Sequence, residues 1–148
     1  MKISIITNLK DKQINQLLAL YSDEFWCNTR KRADVEKMLE NSHIVLGVID
    51  SEANLIGFVR ILTDFTYKAT IYDLIVHPQW RNNNIGKLLM DEVINHPELR
   101  SIEHFDLNCL PEMYRFYKKW SFTTNVGELG FMRRFNKNSD KEKLKTKK

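Results

Sequence analysis

The sequence predicts a mixed α/β fold, with one central sheet and helices on both of its faces. Apolar residues repeat with a strand-like or a helix-like period along nearly the whole chain. Hairpin-type connections join strands in the first half, whereas the second half alternates strand and helix as parallel sheets do. The 148 residues, of which 43% are hydrophobic, suffice for one domain that buries about two-thirds of its unfolded surface.

The first half is predicted to contain a strand, two helices and then three strands. Residues 11–21 and 32–40 carry apolar side chains at helical spacing. The sequence SEAN at 51–54 indicates a hairpin connection, and Pro78 ends the last strand because proline cannot donate to a sheet ladder. The predicted strands lie at 3–7, 43–50, 55–63 and 70–76.

The second half is predicted to alternate helix and strand. Residues 85–95 are apolar on one helical face, and an Asn-His-Pro sequence that finishes at Pro97 ends this helix. A short strand at 104–108 and a helix at 111–120 follow. Residues 129–135 are predicted as the last strand.

The net charge of +4 lies in the C-terminal tail. Residues 136–148 hold six lysines and two acidic residues, so that residues 1–135 carry no net charge. A basic tail without aromatic residues is typical of a disordered, solubilising end rather than of a nucleic-acid-binding arm. We therefore expect a single domain at 1–135, a disordered Lys-rich tail at 136–148, and no nucleic-acid partner.

The composition disfavours several other classes of protein. The longest apolar run, Ile44–Ile49, is far shorter than the roughly 20 residues of a membrane helix, so we expect no membrane association. Residues 1–10 are too short and too polar to be a signal peptide. Cys27 and Cys109 show no metal-binding or disulfide spacing, and the four histidines are scattered. We expect a reducing, cytoplasmic location and no bound metal.

The stretch VHPQWRNNNIGKLL at 76–89 has the features of a phosphate-binding loop. It joins a strand to a helix through Arg81, three asparagines and Gly86. The first N–H groups of a helix have no internal partners, and the helix dipole favours negative charge there. Glycine allows close backbone approach, and asparagine tolerates left-handed conformations. The stretch matches neither the Walker loop nor the GxGxxG fingerprint, and taken alone a plain helix cap explains it equally well.

Two motifs resemble those of the GNAT superfamily of N-acetyltransferases. Residues 81–86, RNNNIG, are similar to its acetyl-CoA motif, in which Arg or Gln is followed by two variable residues, Gly, a variable residue and Gly or Ala. Asn84 replaces the first of those glycines. Residues 116–122, FYKKWSF, are similar to its later signature, with Ser121 in place of glycine. The resemblance covers about residues 3–135 and implies a GNAT-type fold, a mixed, mostly antiparallel sheet of six to seven strands flanked by about four helices.

The resemblance implies that acetyl-CoA is the cofactor and that it binds where the fourth and fifth strands separate. Its pantetheine arm is expected along the main chain of Leu74, Ile75 and Val76, where an N–H near Ile75 or Val76 polarises the thioester carbonyl. Asn108 is expected to bond to the pantetheine, although a simple strand terminus explains this residue as well. The residues expected to hold the pyrophosphate are Arg81, Asn82, Asn83, Asn84, Ile85, Gly86 and Lys87.

The resemblance also implies direct attack of a neutral primary amine on the thioester in a ternary complex. Tyr117 matches the general acid, because a phenol can protonate a thiolate of similar basicity. The alternatives are that Tyr117 is a partly buried helix tyrosine and that Tyr114 takes its role. Asp73 is the candidate general base, and Asp64 is a comparable candidate.

The acceptor, a small-molecule or peptide amine, is expected near the first two helices. Phe25 and Trp26, in the loop between these helices, are candidate acceptor-binding residues, or else they anchor the loop to the core. The sequence leaves open the acceptor's identity, the acyl chain, and the choice between a monomer and a homodimer.

Two other functions are compatible with parts of the sequence. The substituted Asn84 and Ser121 motivate a catalytically weak or inactive GNAT-fold protein that binds coenzyme A or a protein partner. Cys109 precedes a helix start, which lowers a thiol pKa, but it has no convincing partner for nucleophilic catalysis. A buried structural cysteine is the simpler interpretation.

Overall fold

A computed structural model describes residues 2–137, which form two compact units divided between Asn108 and Cys109. The first unit contains β1 (Ser4–Ile6), α1 (Asp11–Ser22), α2 (Arg32–Glu40), β2 (Ile44–Ile49), β3 (Leu55–Thr63), β4 (Lys68–Val76), α3 (Ile85–Ile94) and β5 (His104–Leu107). The second unit contains α4 (Tyr114–Tyr117), with 3₁₀ turns at Pro111–Met113 and Lys118–Trp120 on either side.

The sheet follows chain order, β1-β2-β3-β4-β5. The first three pairs are antiparallel, and β4 and β5 are parallel. This arrangement agrees with the predicted mixed, mostly antiparallel sheet. From β1 to β5, the bounds of the helices and strands differ from the predicted ones by at most two residues.

The number of strands corrects the expectation drawn from the resemblance. Within residues 2–137 the sheet has five strands rather than six to seven, and the predicted strand at 129–135 is irregular chain. Leu129 is 80% exposed and Met132 is 94% exposed, so the alternation that suggested a strand does not bury either face. Gly130, in the middle of the segment, further weakens a strand there because glycine has no side chain to pack.

The helix predicted at 111–120 is also shorter than expected. Only α4, with four residues, is α-helical, and tighter 3₁₀ turns flank it. Ser121 ends this segment with a left-handed backbone, at a φ of 67°.

Two sequence expectations fall partly outside the described residues. Of the predicted disordered tail at 136–148, only Asn136 and Lys137 are described. The extent of a single domain over 1–135 stays a prediction. Within residues 2–137, no helix is long and apolar enough to cross a membrane, and α1 has 12 residues.

The two faces of the sheet pack against different helices. Phe58 on β3 belongs to a buried cluster with Leu17 of α1 and Val35 of α2. Its neighbour Gly57 faces α3, because a Cβ added there would lie 2.6 Å from Ile85 Cγ2. Since adjacent strand residues point to opposite faces, α1 and α2 cover one face and α3 covers the other. This is the arrangement that the sequence predicts.

We expect Gly57→Ala to lower the free energy of unfolding by about 1–3 kcal/mol, the usual cost of overpacking a core. The added methyl group would lie 2.6 Å from Ile85 Cγ2 and 3.1 Å from Leu89 Cδ1. The Ile85 side chain cannot easily move away from the added methyl group, because a β-branched side chain is stiff at χ1. Urea unfolding followed by circular dichroism measures the change.

Gly130→Ala is the matched control, because no atom lies within 4 Å of a Cβ added there. Its effect should stay within about 0.5 kcal/mol, as for most surface substitutions. If Gly57→Ala were as stable as the wild-type protein, the close packing of α3 on β3 would be disproved.

Candidate functional site

Among the described residues, no strand pairs with the C-terminal half of β4 (Leu74, Ile75 and Val76) on its β5 side, and we name this side the open edge. β5 ends at Leu107, opposite Ile71, whereas β4 continues to Val76. Leu74, Ile75 and Val76 therefore extend past the end of the parallel pairing. Ile75 is buried and the other two are half-buried. The parallel pairing thus ends before the residues that the resemblance implies for the cofactor, and cofactor binding there stays a prediction.

Pairing with β3 determines which backbone groups of β4 face the open edge. His77 N–H donates to Ile56 O at 2.8 Å. Because successive residues of an antiparallel pair point alternately toward and away from the partner strand, the N–H and C=O of Val76 point away from β3. Arg81 Nε donates to Val76 O at 3.2 Å and so lies on this edge. The N–H of Ile75, in contrast, points toward β3.

The loop after β4 turns through two left-handed asparagines. Asn82 has a φ of 66° and Asn84 has a φ of 60°, a conformation that asparagine tolerates better than most residues. The Asn83 side chain donates to the carbonyls of Trp80 and Arg81, at 3.2 and 3.0 Å, and closes the loop on itself. The asparagine that replaces the family's glycine therefore keeps a backbone conformation that glycine adopts readily.

The start of α3 combines an apolar anchor with exposed polar groups. Ile85 is buried, whereas Asn84 and Lys87 are exposed and Gly86 is half-buried. Lys87 Nζ lies 2.7 Å from a carboxylate oxygen of Asp91, one turn later. Because α3 has ten residues, its dipole and its first N–H groups favour an anion at this end.

A buried carboxylate directly precedes the open edge. Asp73 Oδ2 accepts hydrogen bonds from Arg30 Nη1 at 2.7 Å, from Arg60 Nε at 2.7 Å and from the Tyr21 hydroxyl at 2.9 Å. The Asp73 side chain is only 4% exposed. We name these four residues the Asp73 cluster; it joins β4 to β3, to α1 and to the loop that follows α1.

Asp73 reaches this position because β4 is irregular there. The register between β3 and β4 shifts between Phe58 and Arg60, and Asp73 has a φ of 57°. As a result, the adjacent residues Tyr72 and Asp73 both contact Arg60. Asp73 forms the ion pair, and the Tyr72 ring centroid lies 4.8 Å from the guanidinium carbon. Bulges re-aim side chains in this way and are common beside active sites.

The Asp73 cluster is charged at neutral pH. Burial alone would raise the pKa of Asp73, but hydrogen bonds and charges from Arg30 and Arg60 outweigh burial and lower it. Burial and the Asp73 charge raise the pKa of Tyr21, whose hydroxyl therefore stays protonated. A carboxylate of lowered pKa accepts a proton poorly, so these contacts favour a positioning role for Asp73. Its role as general base stays a prediction.

The loop between α1 and α2 lies against the Asp73 cluster. The Trp26 ring centroid is 5.6 Å from the Arg30 guanidinium carbon. Phe25 and Trp26 are 36% and 39% exposed. Glu24, in the same loop, lies 3.5 Å from Arg81 Nη2. This loop therefore contacts both the cluster and the loop before α3, and acceptor binding by Phe25 and Trp26 stays a prediction.

Two other predicted residues occupy strand ends. Asn108 is exposed directly after β5. Asp64 accepts hydrogen bonds from the backbone N–H groups of Thr66, Tyr67 and Lys68, and these bonds lower the pKa of its carboxyl group. Asp64 thus caps the turn between β3 and β4, which explains its presence without a catalytic role.

In the second unit, Tyr117 belongs to a group of aromatic side chains. Its ring packs edge-on against Phe116 and Phe122, with centroids 5.0 and 6.0 Å apart. Burial, with a smaller contribution from Cys109, raises the pKa of Tyr117 to about 12. Tyr114, its predicted substitute, is 38% exposed. Burial also raises the pKa of Cys109, which disfavours that thiol as a nucleophile.

Reasoning from the sequence missed Tyr21, Arg30 and Arg60. The sequence does contain a signal that Arg60 pairs with Asp73. The two residues are isolated opposite charges in the apolar parts of two strands joined by a hairpin. Buried charges require partners, and opposite charges on adjacent strands provide them. Tyr21 and Arg30 carry no comparable local signal, since only the folded chain brings them to Asp73.

Comparison with known proteins identifies the family. A family model for the acetyltransferase (GNAT) domain matches residues 7–133. The chain is 29% identical over 120 residues to the uncharacterized N-acetyltransferase ycf52 of Porphyra purpurea, covering 79% of this chain and 68% of that protein. It is 30% identical over 116 residues to ycf52 of Pyropia yezoensis, covering 73% and 67%. About a third of each relative therefore lies outside the match.

Comparison with a solved structure supports the same family. A protein assigned to the GNAT acetyltransferase family from Xanthomonas campestris pv. campestris superimposes with a TM-score of 0.80 at 25% identity, covering 91% of this chain and 94% of that one. The fold and the strand–loop–helix site thus define an α/β protein of the acetyltransferase class. This chain belongs to the GNAT acetyltransferase family, as its two motifs indicate.

We expect Asp73→Asn to lower the free energy of unfolding at neutral pH by about 3 kcal/mol, because removing one partner of a buried ion pair leaves the other charges uncompensated. A carboxylate whose pKa is lowered on folding stabilises the protein above its unfolded pKa, and this stability is lost as pH falls through the folded pKa. The wild-type protein should therefore lose stability below about pH 4, and the variant should lack this component. Urea unfolding at neutral and acid pH measures both effects.

Asp106→Asn is the matched control for Asp73→Asn. Asp106 forms an ion pair with Lys68 at 3.0 Å, and both side chains are 51% exposed. Exposed pairs contribute at most about 1 kcal/mol, so the control should have a small effect. Equal losses in the two variants would show that the Asp73 cluster is not a major source of stability.

Proposed function

We propose that this chain transfers an acetyl group from acetyl-CoA to a primary amine of a small-molecule or peptide acceptor. The observation that carries the proposal is the continuous surface made by the open edge of β4, the left-handed asparagine loop and the start of α3. This surface offers outward backbone groups at Val76, a guanidinium at Arg81 and the first N–H groups of a helix. Membership of the GNAT acetyltransferase family supports the same reaction.

The groups on this surface suit the diphosphate and pantetheine of coenzyme A. Helix N-termini and arginine are the usual partners of phosphate. The Arg81 side chain is 54% exposed, and its only charged partner among the described residues, Glu24, is 3.5 Å away, so it can turn to a phosphate at little cost. We propose that residues 82–87 and Arg81 hold the pyrophosphate. The main chain of 74–76 and the Asn108 side chain contact the pantetheine.

The chain's own groups account for the chemistry of transfer. Bound acetyl-CoA supplies an electrophilic thioester. The Val76 N–H, which faces the open edge, donates to the carbonyl oxygen and stabilises the negative charge that develops there as the amine attacks. As the C–N bond forms and the C–S bond breaks, the amine nitrogen loses one proton to solvent and Tyr117 donates its proton to the departing sulfur, after which solvent reprotonates Tyr117. Burial raises the pKa of this phenol to about 12, so it is protonated at physiological pH but is a weaker acid than an exposed phenol.

Calorimetric titration with acetyl-CoA tests the cofactor site. We expect binding in the micromolar range, and we expect Arg81→Ala to weaken it about 10- to 100-fold, the loss of one charge-assisted hydrogen bond. Arg100→Ala removes an exposed arginine beyond the C-terminal end of α3 and should bind as the wild-type protein does. Absence of binding by the folded wild-type protein would refute acetyl-CoA as the cofactor.

Tyr117→Phe tests the general acid. We expect kcat to fall about 10²- to 10⁴-fold, with unchanged affinity for acetyl-CoA, because only the proton donor is removed. Release of free thiol from acetyl-CoA in the presence of an amine measures the rate. The control is Tyr114→Phe, which removes the exposed hydroxyl three residues earlier and should leave kcat unchanged.

Two outcomes of that experiment would count against the proposal. A fully active Tyr117→Phe enzyme would exclude Tyr117 as the acid, and an inactive Tyr114→Phe enzyme would assign the role to Tyr114. Tight acetyl-CoA binding without turnover on any amine would instead favour the non-catalytic, cofactor-binding alternative.

A further inference from the structure

A cavity of about 230 Å³ lies beside the Asp73 cluster. The residues that line it are Arg30, Asp34, Val35, Met38 and Arg60. Val35 is buried and Met38 is half-buried, so these two side chains form an apolar wall. The cavity is smaller than the roughly 300–1,000 Å³ of typical small-molecule sites. It therefore suits one functional group of a ligand rather than a long chain.

The charges beside this cavity do not balance within the Asp73 cluster. Asp73 is a single carboxylate, whereas Arg30 and Arg60 bring two guanidinium groups, and the Tyr21 hydroxyl is neutral. The side chains of Arg30 and Arg60 are only 29% and 12% exposed. A positive charge that is largely withdrawn from water favours an anionic partner. The cavity is the space in which such a partner can reach both arginines.

Both arginines keep donors for that partner and are already held in place. Asp73 engages Nη1 of Arg30 and Nε of Arg60, although each guanidinium has five N–H donors. Arg30 stacks on the Tyr21 ring at 4.6 Å, and Arg60 stacks on the Tyr72 ring at 4.8 Å. A planar fork fixed by stacking matches a carboxylate and loses little conformational entropy on binding it.

We propose that Arg30 and Arg60 bind a carboxylate of the acceptor in this cavity, so that the acceptor is a small amine that also carries a carboxylate, as amino acids do. The inference rests on the proposed acetyl transfer and names the class of its acceptor. Asp73, which pairs with both arginines, immediately precedes residues 74–76, so the arginines are held by the residue next to the strand segment where the thioester is proposed. The two arginines disfavour polycationic acceptors by like-charge repulsion.

Asp34 narrows the choice of anion. It is exposed and lines the same cavity, so its negative charge at the rim brings the sum over Arg30, Arg60, Asp73 and Asp34 to zero, and the excess positive charge is confined to the buried end. The Asp34 charge disfavours a doubly charged phosphate group and tolerates the ammonium group of a zwitterion. A single carboxylate accompanied by an amine is therefore the chemistry that the lining residues fit best.

Lysine and cadaverine provide the test, since they share the aminopentyl chain and differ by one carboxylate. With acetyl-CoA present, we expect kcat/KM for lysine to exceed that for cadaverine about 10- to 100-fold, the gain from a charge-assisted hydrogen bond. O-Phosphoethanolamine and ethanolamine form a second pair, which shows whether a phosphate group raises kcat/KM. Equal rates for lysine and cadaverine, or a preference for the phosphate compound over lysine, would overturn the inference.

The Arg30→Met variant tests whether the preference for lysine over cadaverine arises in the cavity. It should reduce the ratio of kcat/KM for lysine to that for cadaverine to nearly one and leave the affinity for acetyl-CoA unchanged. Arg60 and Tyr21 still bond to Asp73 in this variant. Arg32→Met is the matched control, because Arg32 contacts Asp11 and Glu36 and does not line the cavity. A lysine preference that survives in Arg30→Met would place the carboxylate elsewhere.

A binding measurement separates failure of this inference from failure of the proposed function. Saturation-transfer NMR without acetyl-CoA should detect lysine more strongly than cadaverine on the wild-type protein and lose the difference in Arg30→Met. If acetyl-CoA fails to bind while lysine binding depends on Arg30, the cavity is a carboxylate site and the transfer reaction is refuted. If acetyl-CoA binds and lysine is not preferred, only the acceptor class is refuted.

Discussion

The burial of the Asp73 carboxylate is the constraint on which the candidate site depends. A carboxylate withdrawn from water must be paired, and here a single oxygen accepts from Arg30, Arg60 and Tyr21. These donors come from a neighbouring strand, from α1 and from the loop after it. The loop has one buried apolar side chain, Cys27, and the ion pair of Arg30 with Asp73 fastens the loop to β4.

The bulge that places Asp73 also divides β4 into a part that pairs with β5 and a part that does not. Up to Ile71 the strand pairs with β5, and after Asp73 its edge is open as far as Val76. A bulge bends a strand and increases its twist, which accounts for the end of parallel pairing at this point. One backbone irregularity therefore turns a carboxylate toward the α1–α2 face and leaves the following N–H groups unpaired with β5. The proposed cofactor surface lies on this strand, and the two arginines of the proposed acceptor cavity pair with its Asp73.

Most of the fold could be predicted from periodicity, whereas the center of the site could not. Elements with a buried stripe, such as β3 and α3, were predicted to within a residue because apolar side chains report directly on local geometry. The segment 129–135 has similar alternation but no strand, since pairing depends on a partner that local sequence does not reveal. The loop proposed to bind phosphate was visible in the sequence because its residues are contiguous. The Asp73 cluster was not, because Tyr21, Arg30 and Arg60 meet Asp73 only after the chain has folded.

Two residues that stand where the family has glycine, Asn84 and Ser121, bear directly on whether the protein is an active enzyme. Asn84 and Ser121 have φ values of 60° and 67°, so both positions keep a left-handed backbone without glycine. Such a conformation costs an ordinary residue about 1–2 kcal/mol, and asparagine less, because its short polar side chain bonds locally. A chain that retains the conformation at this cost retains the geometry for which the family uses glycine. Because Asn84 is exposed, its amide also adds a donor at the loop surface, which a phosphate accepts. The two substitutions are therefore compatible with an active enzyme. A measurement of turnover decides between an active enzyme and a protein that only binds the cofactor.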